Sequence, residues 1–130
     1  MQYDEFVGQV QSRARFASRA EAEDAIEATL CTLAEHLSAG AAENLAGQLP
    51  DRAGRYLTSN GHGDSDHTGE QFDSSEFVQR VAERERADEP VAAFHARAVL
   101  EVVYEATGLA LDKGRQQLPE DFQRLLANRG

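Results

Sequence analysis

The sequence has one cysteine, Cys31, one lysine, Lys113, and no long apolar run. A single cysteine excludes a disulfide within the chain and is typical of a reducing compartment. No stretch approaches the roughly 18 consecutive apolar residues that a membrane-spanning helix needs. Asp4 and Glu5 stand where a secretory leader would carry positive charge before an apolar run. We therefore expect a cytoplasmic protein with no membrane partner.

The charge is strongly acidic, with 13 basic against 23 acidic residues and a formal net charge of −10. Nucleic-acid binding usually requires a basic patch, so we expect no nucleic-acid partner. Apart from Lys113, every basic residue is an arginine. An acidic surface almost without lysine suits a salt-rich, halophilic cytoplasm, in which screening lets like charges coexist. The arginine bias of a high-GC genome explains the same composition, and both explanations stay open.

These two explanations predict different responses to salt. If the surface is halophilic, the melting temperature should rise steeply between low and molar KCl, because screening removes repulsion among the carboxylates. Thermal melts followed by circular dichroism would measure this. A melting temperature that stays flat over that range leaves genome bias as the explanation.

Two segments of the sequence are similar to each other and indicate a duplication. YDEFVGQVQ begins at Tyr3, and FDSSEFVQRVA begins at Phe72. When the two are aligned, the matching positions are Phe6 and Phe77, Val7 and Val78, and Val10 and Val81. Each copy ends on Leu-Pro, at Leu49-Pro50 and Leu118-Pro119, with a slightly shorter offset than the opening motifs have. Because a copy of about 55 residues is too small for a core of its own, the two copies should pack together.

Apolar periodicity predicts helices and no strands in both copies. In the first copy we expect a helix over residues 3–14, a long helix that begins at a Ser18–Glu21 capping box, a short helix over 41–48, and a last turn or two over 51–57. The apolar stripe of the long helix comprises Ala22, Ala25, Ile26, Thr29, Leu30, Leu33 and Leu37.

The second copy repeats this order after a polar stretch, TSNGHGDSDHTGEQ, that has no large aliphatic residue. Asp73 with Glu76 offers a helix cap, and Glu89-Pro90 begins the second long helix. The stripe of that helix comprises Val91, Phe94, His95, Ala98, Val99, Val102, Val103 and Ala106. A final helix after Pro119 carries Phe122, Leu125 and Leu126.

The pattern predicts an all-α fold of two tandem pseudo-symmetric units, each of three or four helices, packed into one helical bundle. The units comprise residues 1–57 and 74–130, joined by a polar glycine-rich linker over 58–73, and together they form one compact domain. Leu45 corresponds to Gly114 and Ala53 to Phe122, which suggests compensating volumes where the units differ.

The motif order EFV, AENLAGQLP, FDSSEFVQRVA, HARAVLEVV and QLPEDFQRLL resembles the duplicated helical family known as domain of unknown function 2267. The resemblance covers residues 3–126 and implies an all-helical duplicated fold. That family has no established activity and no agreed catalytic residues, so the resemblance assigns no role to any residue.

The sequence HGDSDH in the linker is one candidate site. His62, Asp64, Asp66 and His67 carry side chains of the types that bind zinc, nickel or copper. A metal site also needs an ordered second shell, which a glycine-rich loop does not supply. We therefore expect a solvated loop and no metal.

Three further residues are candidates for a functional role: His95, Cys31 and His36. His95 lies on the apolar stripe of the second long helix, where a titratable group can act as a base, a ligand or a pH switch, or can be a hydrogen-bonded core histidine. Cys31 has no histidine on its own helix face to activate it, so we expect a small core residue. His36 suits the negative end of the first long helix.

No HExxH, CxxC or GxSxG motif occurs, and no cofactor is implied. We expect a non-enzymatic interaction or regulatory module that recruits a protein partner or self-associates. The alternative is a small-molecule or metal-binding protein that uses His95 or the HGDSDH cluster. Native mass spectrometry of protein from cells distinguishes them, since only the alternative predicts a retained ligand or metal.

Overall fold

The structure is a computed structural model that describes residues 2–36, 39–58 and 74–107. These residues form six α-helices packed together, without a strand among them: α1 Tyr3–Ala14, α2 Arg19–His36, α3 Ala39–Ala46, α4 Asp51–Thr58, α5 Ser74–Glu85 and α6 Glu89–Thr107. The prediction of an all-α fold is therefore confirmed. The cap at Asp73, most of the predicted linker and the helix expected after Pro119 lie outside the described residues. In the described part of the chain, every helix is too short or too polar to cross a bilayer.

The start of α2 follows from its cap. The Ser18 Oγ accepts a hydrogen bond from the backbone N–H of Glu21 at 3.2 Å, which confirms the serine half of the predicted capping box. The Glu21 carboxylate accepts a hydrogen bond from the Ser18 hydroxyl at 3.3 Å, where a full capping box would bond the Ser18 amide. Two hydrogen bonds between Ser18 and Glu21 therefore hold the first turn of α2.

Helices α1 and α5 end in the same left-handed turn. Arg15 follows α1 with a φ of 58°, and Arg86 follows α5 with a φ of 59°. The amide of Phe16 then donates to the Gln11 carbonyl at 3.0 Å, and the amide of Ala87 donates to the Ala82 carbonyl at 3.0 Å. This hydrogen bond satisfies carbonyls at the helix end and turns the chain into the next helix.

Buried side chains from all six described helices form the core, which surrounds the two long helices α2 and α6. Helix α1 packs against α2 and α6, α5 packs against α6 and α2, and the α3–α4 pair covers α2 through α4. The largest fully buried side chains are Phe6, Phe77, Ile26, Leu30, Leu33, Leu57, Val7, Val10, Val81, Val99 and Val102. Burial of Leu57 shows that the end of α4 packs on the bundle.

Helix α6 is oriented differently from the prediction in its first half. Val91 and Phe94, expected on the buried stripe, are 43% and 40% exposed, whereas Ala92 and Ala96 are fully buried. The rest of the stripe, from Ala98 to Val103, is buried as predicted. Because α6 is apolar on most sides, periodicity alone could not tell which row faces the bundle. The row of small alanines lets α6 approach its neighbours closely.

Gly54 lies where α4 contacts the end of α3. A Cβ built on Gly54 would stand 2.7 Å from the carbonyl oxygen of Ala46, so an alanine there must displace backbone. We expect Gly54→Ala to lower the free energy of unfolding by about 1–3 kcal/mol, as overpacking does. Urea denaturation measures this change in the free energy of unfolding.

Gly8→Ala is the matched control for that substitution. Gly8 is exposed on α1, and a Cβ there meets no atom within 4 Å. The control should raise stability by about 0.5–1 kcal/mol, because alanine loses less backbone entropy in a helix than glycine does. Equal stability of Gly54→Ala and the wild type would contradict the close packing of α4 on α3.

Candidate functional site

His95 of α6 is paired with Glu85, the last residue of α5. Its Nδ1 lies 3.0 Å from Oε2 and 3.2 Å from Oε1 of the Glu85 carboxyl. The two side chains are only 16% and 7% exposed, respectively. The Phe16 ring covers the imidazole, with 4.4 Å between ring centroids. Of the roles considered for His95, the geometry therefore shows a hydrogen-bonded, mostly buried histidine.

The electrostatics of this pair are set by its burial. Burial raises the pKa of the Glu85 carboxyl, because water no longer stabilises the negative charge. The charge and hydrogen bond of His95 oppose that shift, and the nearby Asp24 carboxylate adds to it. His95 therefore stabilises the ionised form of the Glu85 carboxyl, whereas burial and Asp24 destabilise it.

Cys31 is a buried free cysteine, as predicted. Burial raises the pKa of its thiol, and the Arg84 guanidinium only partly counteracts this. The thiol is therefore protonated near neutral pH and a poor nucleophile. His36 is the last residue of α2, but its side chain lies outside the described part.

An ionic cluster joins α5 to α2, and local sequence spacing did not reveal it. Arg84 donates to Glu35 through both terminal nitrogens, at 3.1 and 2.8 Å, and to the Thr32 hydroxyl at 2.6 Å. Arg80 reaches the same Glu35 carboxylate at 3.2 Å and also pairs with Glu76. These hydrogen bonds, that from Arg84 first, lower the pKa of Glu35 although burial opposes them. These contacts connect α5 to α2.

Two clefts follow the α2–α5 seam on either side of Arg84. The smaller, of about 300 Å³, is lined by Glu35, Arg80, Glu83 and Arg84. The larger, of about 510 Å³, is lined by Asp24, Glu27, Ala28, Cys31, Arg84, Glu85 and Arg86. Their charges are of both signs and already paired in part, and the thiol in the larger cleft is protonated. Among the described residues, no three His, Cys, Asp or Glu side chains are grouped for a metal ion. The HGDSDH residues lie outside that part of the chain.

The exposed row on α6 is the feature that the described core leaves without a partner helix. Val91 and Phe94 stand one helical turn apart and are the large apolar side chains exposed in the described part. The Arg97 guanidinium lies over the Phe94 ring, 5.9 Å from its centroid. We call Val91, Phe94 and Arg97 the α6 surface. An aromatic ring, a branched aliphatic group and an arginine are residue types that protein interfaces favour at their centres.

Comparison with known families agrees with the motif order. Residues 3–125 match the profile of DUF2267, described as an uncharacterized conserved protein. The chain belongs to this family. The resemblance noted from the sequence motifs is thereby confirmed, whereas the duplication inside the DUF2267 region stays a prediction. No curated protein matches the chain. Family membership assigns no catalytic or binding residue, so any function must be argued from the geometry of this DUF2267 chain.

Proposed function

We propose that this DUF2267 protein is a non-enzymatic, cytoplasmic interaction module whose α6 surface binds an amphipathic helix of a protein partner. The observation that carries the proposal is the exposure of Val91 and Phe94, at 43% and 40%, side by side on one helix. Complete burial of such a side chain contributes about 1.5–3 kcal/mol, and each is already partly covered. A partner helix that presents apolar residues at i, i+3 and i+4 would complete that burial.

The charge of the chain supports a particular kind of partner. With a net charge of −10, the molecule repels acidic proteins and attracts basic ones at long range. Glu89 is exposed just before the Val91–Phe94 row, whereas Arg97 lies at its other end. A partner helix with an apolar face and a mostly basic rim therefore fits the α6 surface best.

We also propose that the α6 surface belongs to one compact domain made of two pseudo-symmetric units. Its support is that α1 packs on α6 while α5 packs on α2. Arg13 of α1 pairs with Glu105 of α6 at 2.6 Å, and Arg84, its counterpart in the second copy, pairs with Glu35 of α2 at 2.8 Å. The left-handed turns at Arg15 and Arg86 stand at corresponding positions in the same alignment.

The alternative function, a small-molecule or metal-binding protein built on His95, gains no support from the described residues. Glu85 already occupies the Nδ1 of His95, and Phe16 covers the ring. The interaction module is therefore the function that this geometry favours.

Affinity purification from cells that naturally contain the protein tests the proposal. Wild type and Phe94→Asp are compared with Gln79→Asp, a control that adds the same charge at an exposed position of α5. We expect a protein retained by wild type and by Gln79→Asp to be lost from Phe94→Asp, because a carboxylate in an apolar contact is costly to desolvate. Circular dichroism must show that all three fold. Retention that does not depend on Phe94 would refute the proposed surface.

A further inference from the structure

The larger cleft of the α2–α5 seam is lined by charged groups that still lack a partner in the described part of the chain. Asp24 and Glu27 are exposed one helical turn apart on α2, and Arg86 is exposed in the turn after α5. None of these three side chains makes a hydrogen bond or an ion pair with a described residue. Arg84, by contrast, is already paired with Glu35. The cleft therefore presents two carboxylates and one guanidinium that a ligand can still use.

The carboxylates of this cleft favour a cationic group. Glu85 lines the cleft together with Asp24 and Glu27, and the Asp24 charge adds to the burial that raises the pKa of the Glu85 carboxyl. A positive charge beside Asp24 would relieve this repulsion between like charges. The described His, Cys, Asp and Glu side chains are not grouped in threes for a metal ion. An organic ammonium group, which brings its own hydrogen-bond donors, therefore suits these carboxylates better than a bare ion.

The remaining lining suits an anionic group and a short apolar link. The Arg86 guanidinium can bind a carboxylate through two parallel hydrogen bonds. Ala28 and Cys31 add small side chains to the α2 wall of the cleft. Cys31 is only 8% exposed and has no hydrogen-bond partner among the described residues, so its S–H can donate weakly to a ligand atom. The cleft thus combines sites for both charges with small groups that leave room for a ligand backbone.

We propose that this cleft binds a small zwitterion of dipeptide size, with its ammonium group at Asp24 and Glu27 and its carboxylate at Arg86. The cleft volume of about 510 Å³ lies within the range of small-molecule sites, about 300–1,000 Å³. The cleft shares no residue with the α6 surface. Ligand binding there is therefore a further activity that does not depend on the proposed function.

Ligands with charge of one sign fit the cleft less well. A phosphate or another small anion would pair with Arg86 but would be repelled by Asp24 and Glu27. A simple amine would pair with the carboxylates and leave the guanidinium without a partner. Charged groups that are desolvated by a ligand and left unpaired weaken binding. A zwitterion pairs with both kinds of group at once, so it is the class that this lining selects.

An NMR titration of the full-length protein with glycylglycine tests the site. Backbone amide shifts are followed at about 50 mM salt, where screening of the charges is modest. We expect saturable shift changes centred on Cys31 and Arg86, with a Kd of roughly 1 mM, because so small a ligand has few atoms to contribute. Absence of a saturable change at about tenfold higher glycylglycine concentration would overturn the proposal. So would changes centred away from the cleft.

Two blocked probes separate the contributions of the two charges. N-acetylglycylglycine keeps the carboxylate and lacks the ammonium group, whereas glycylglycine amide keeps the ammonium group and lacks the carboxylate. We expect each to bind at least about tenfold more weakly than glycylglycine, because each leaves part of the charged lining unpaired. Equal affinity of the amide would make the cleft an amine site, and equal affinity of the acetylated probe an anion site. Either result would refute a zwitterion site.

Matched substitutions assign the contacts to residues. Arg86→Gln should weaken glycylglycine binding about tenfold. Arg15→Gln is its control, because Arg15 has the same left-handed φ, 58° against 59°, and does not line the cleft. Asp24→Asn should weaken binding likewise, whereas Glu43→Gln, at an exposed position of α3, should not. Equal affinity of Arg86→Gln and Arg15→Gln would overturn the assignment. None of these results bears on the α6 surface, which the purification with Phe94→Asp tests separately.

Discussion

Phe77→Ala is expected to lower the free energy of unfolding by about 3–5 kcal/mol. Phe77 is fully buried and is one of the two largest side chains in the core. Its truncation loses the transfer free energy of the ring and leaves a cavity that the surrounding helices fill only in part. Since a domain of this size is stable by about 5–15 kcal/mol, the variant should be close to unfolding at 25 °C.

Phe6→Ala tests the same prediction in α1, which lies in the proposed first unit. Phe6 is also fully buried, and α1 and α5 each contact both long helices. If one core joins the units, each variant should lose a similar free energy and unfold in one transition. Gln79→Ala, at an exposed position of α5, is the control and should change stability by less than about 0.5 kcal/mol.

Urea denaturation monitored by circular dichroism and tyrosine fluorescence would decide between one core and two. Two separate transitions in Phe77→Ala, with the first unit still folded, would contradict the single domain. A loss below about 1 kcal/mol would contradict the packing of Phe77, because burial of a phenylalanine contributes more than that.

Local patterns were sufficient to predict most helices. The 3–4 spacing of Phe6, Val7 and Val10 predicted the buried face of α1, and Ser18 with Glu21 predicted the start of α2. These features depend on residues less than two turns apart, for which helix geometry fixes the relation between spacing and position. Helix boundaries came within one or two residues for the same reason.

Long-range polar contacts could not be predicted in this way. Glu35 and Arg84 are 49 residues apart, and only the packing of α2 on α5 brings them together. Glu85 and His95 lie on different helices, so no spacing within one helix relates them, yet Glu85 is mostly buried against His95. The orientation of α6 was equally hidden, since an alanine row and a row of larger apolar residues compete for the core. The α6 surface was missed for that reason.

The pair Glu85–His95 provides the second prediction with a large effect. Near the corresponding positions of the proposed first unit stand Ala14 and Ile26, both buried. His95→Ile would leave the Glu85 carboxylate, 7% exposed, without the imidazole at 3.0 Å. Removal of one partner of a buried charged pair typically costs about 3–5 kcal/mol.

Protonation of Glu85 limits the free energy of unfolding that His95→Ile loses and makes that loss depend on pH. In His95→Ile the Glu85 carboxyl can be protonated instead of staying charged. For a carboxyl with the ordinary pKa of 4.5, protonation at pH 7 costs about 3 kcal/mol, at 1.36 kcal/mol per pH unit. We therefore expect His95→Ile to lose up to about 3 kcal/mol at pH 7. Because the pKa of Glu85 is raised in the folded state, the loss should be smallest below pH 4.5 and grow as pH rises through the folded-state pKa.

The double variant Glu85→Ala/His95→Ile replaces the buried ionic pair with apolar side chains and should recover the lost stability. Replacement of a buried ionic pair by packed apolar groups is often neutral or stabilising by about 1–4 kcal/mol. The pH-dependent part of the His95→Ile loss should vanish with the Glu85 carboxyl. Chemical denaturation of the wild type and both variants from pH 4 to pH 8 measures this, with exposed Glu83→Ala as the control. A double variant as unstable as His95→Ile would mean that the ionic contact itself holds α5 to α6.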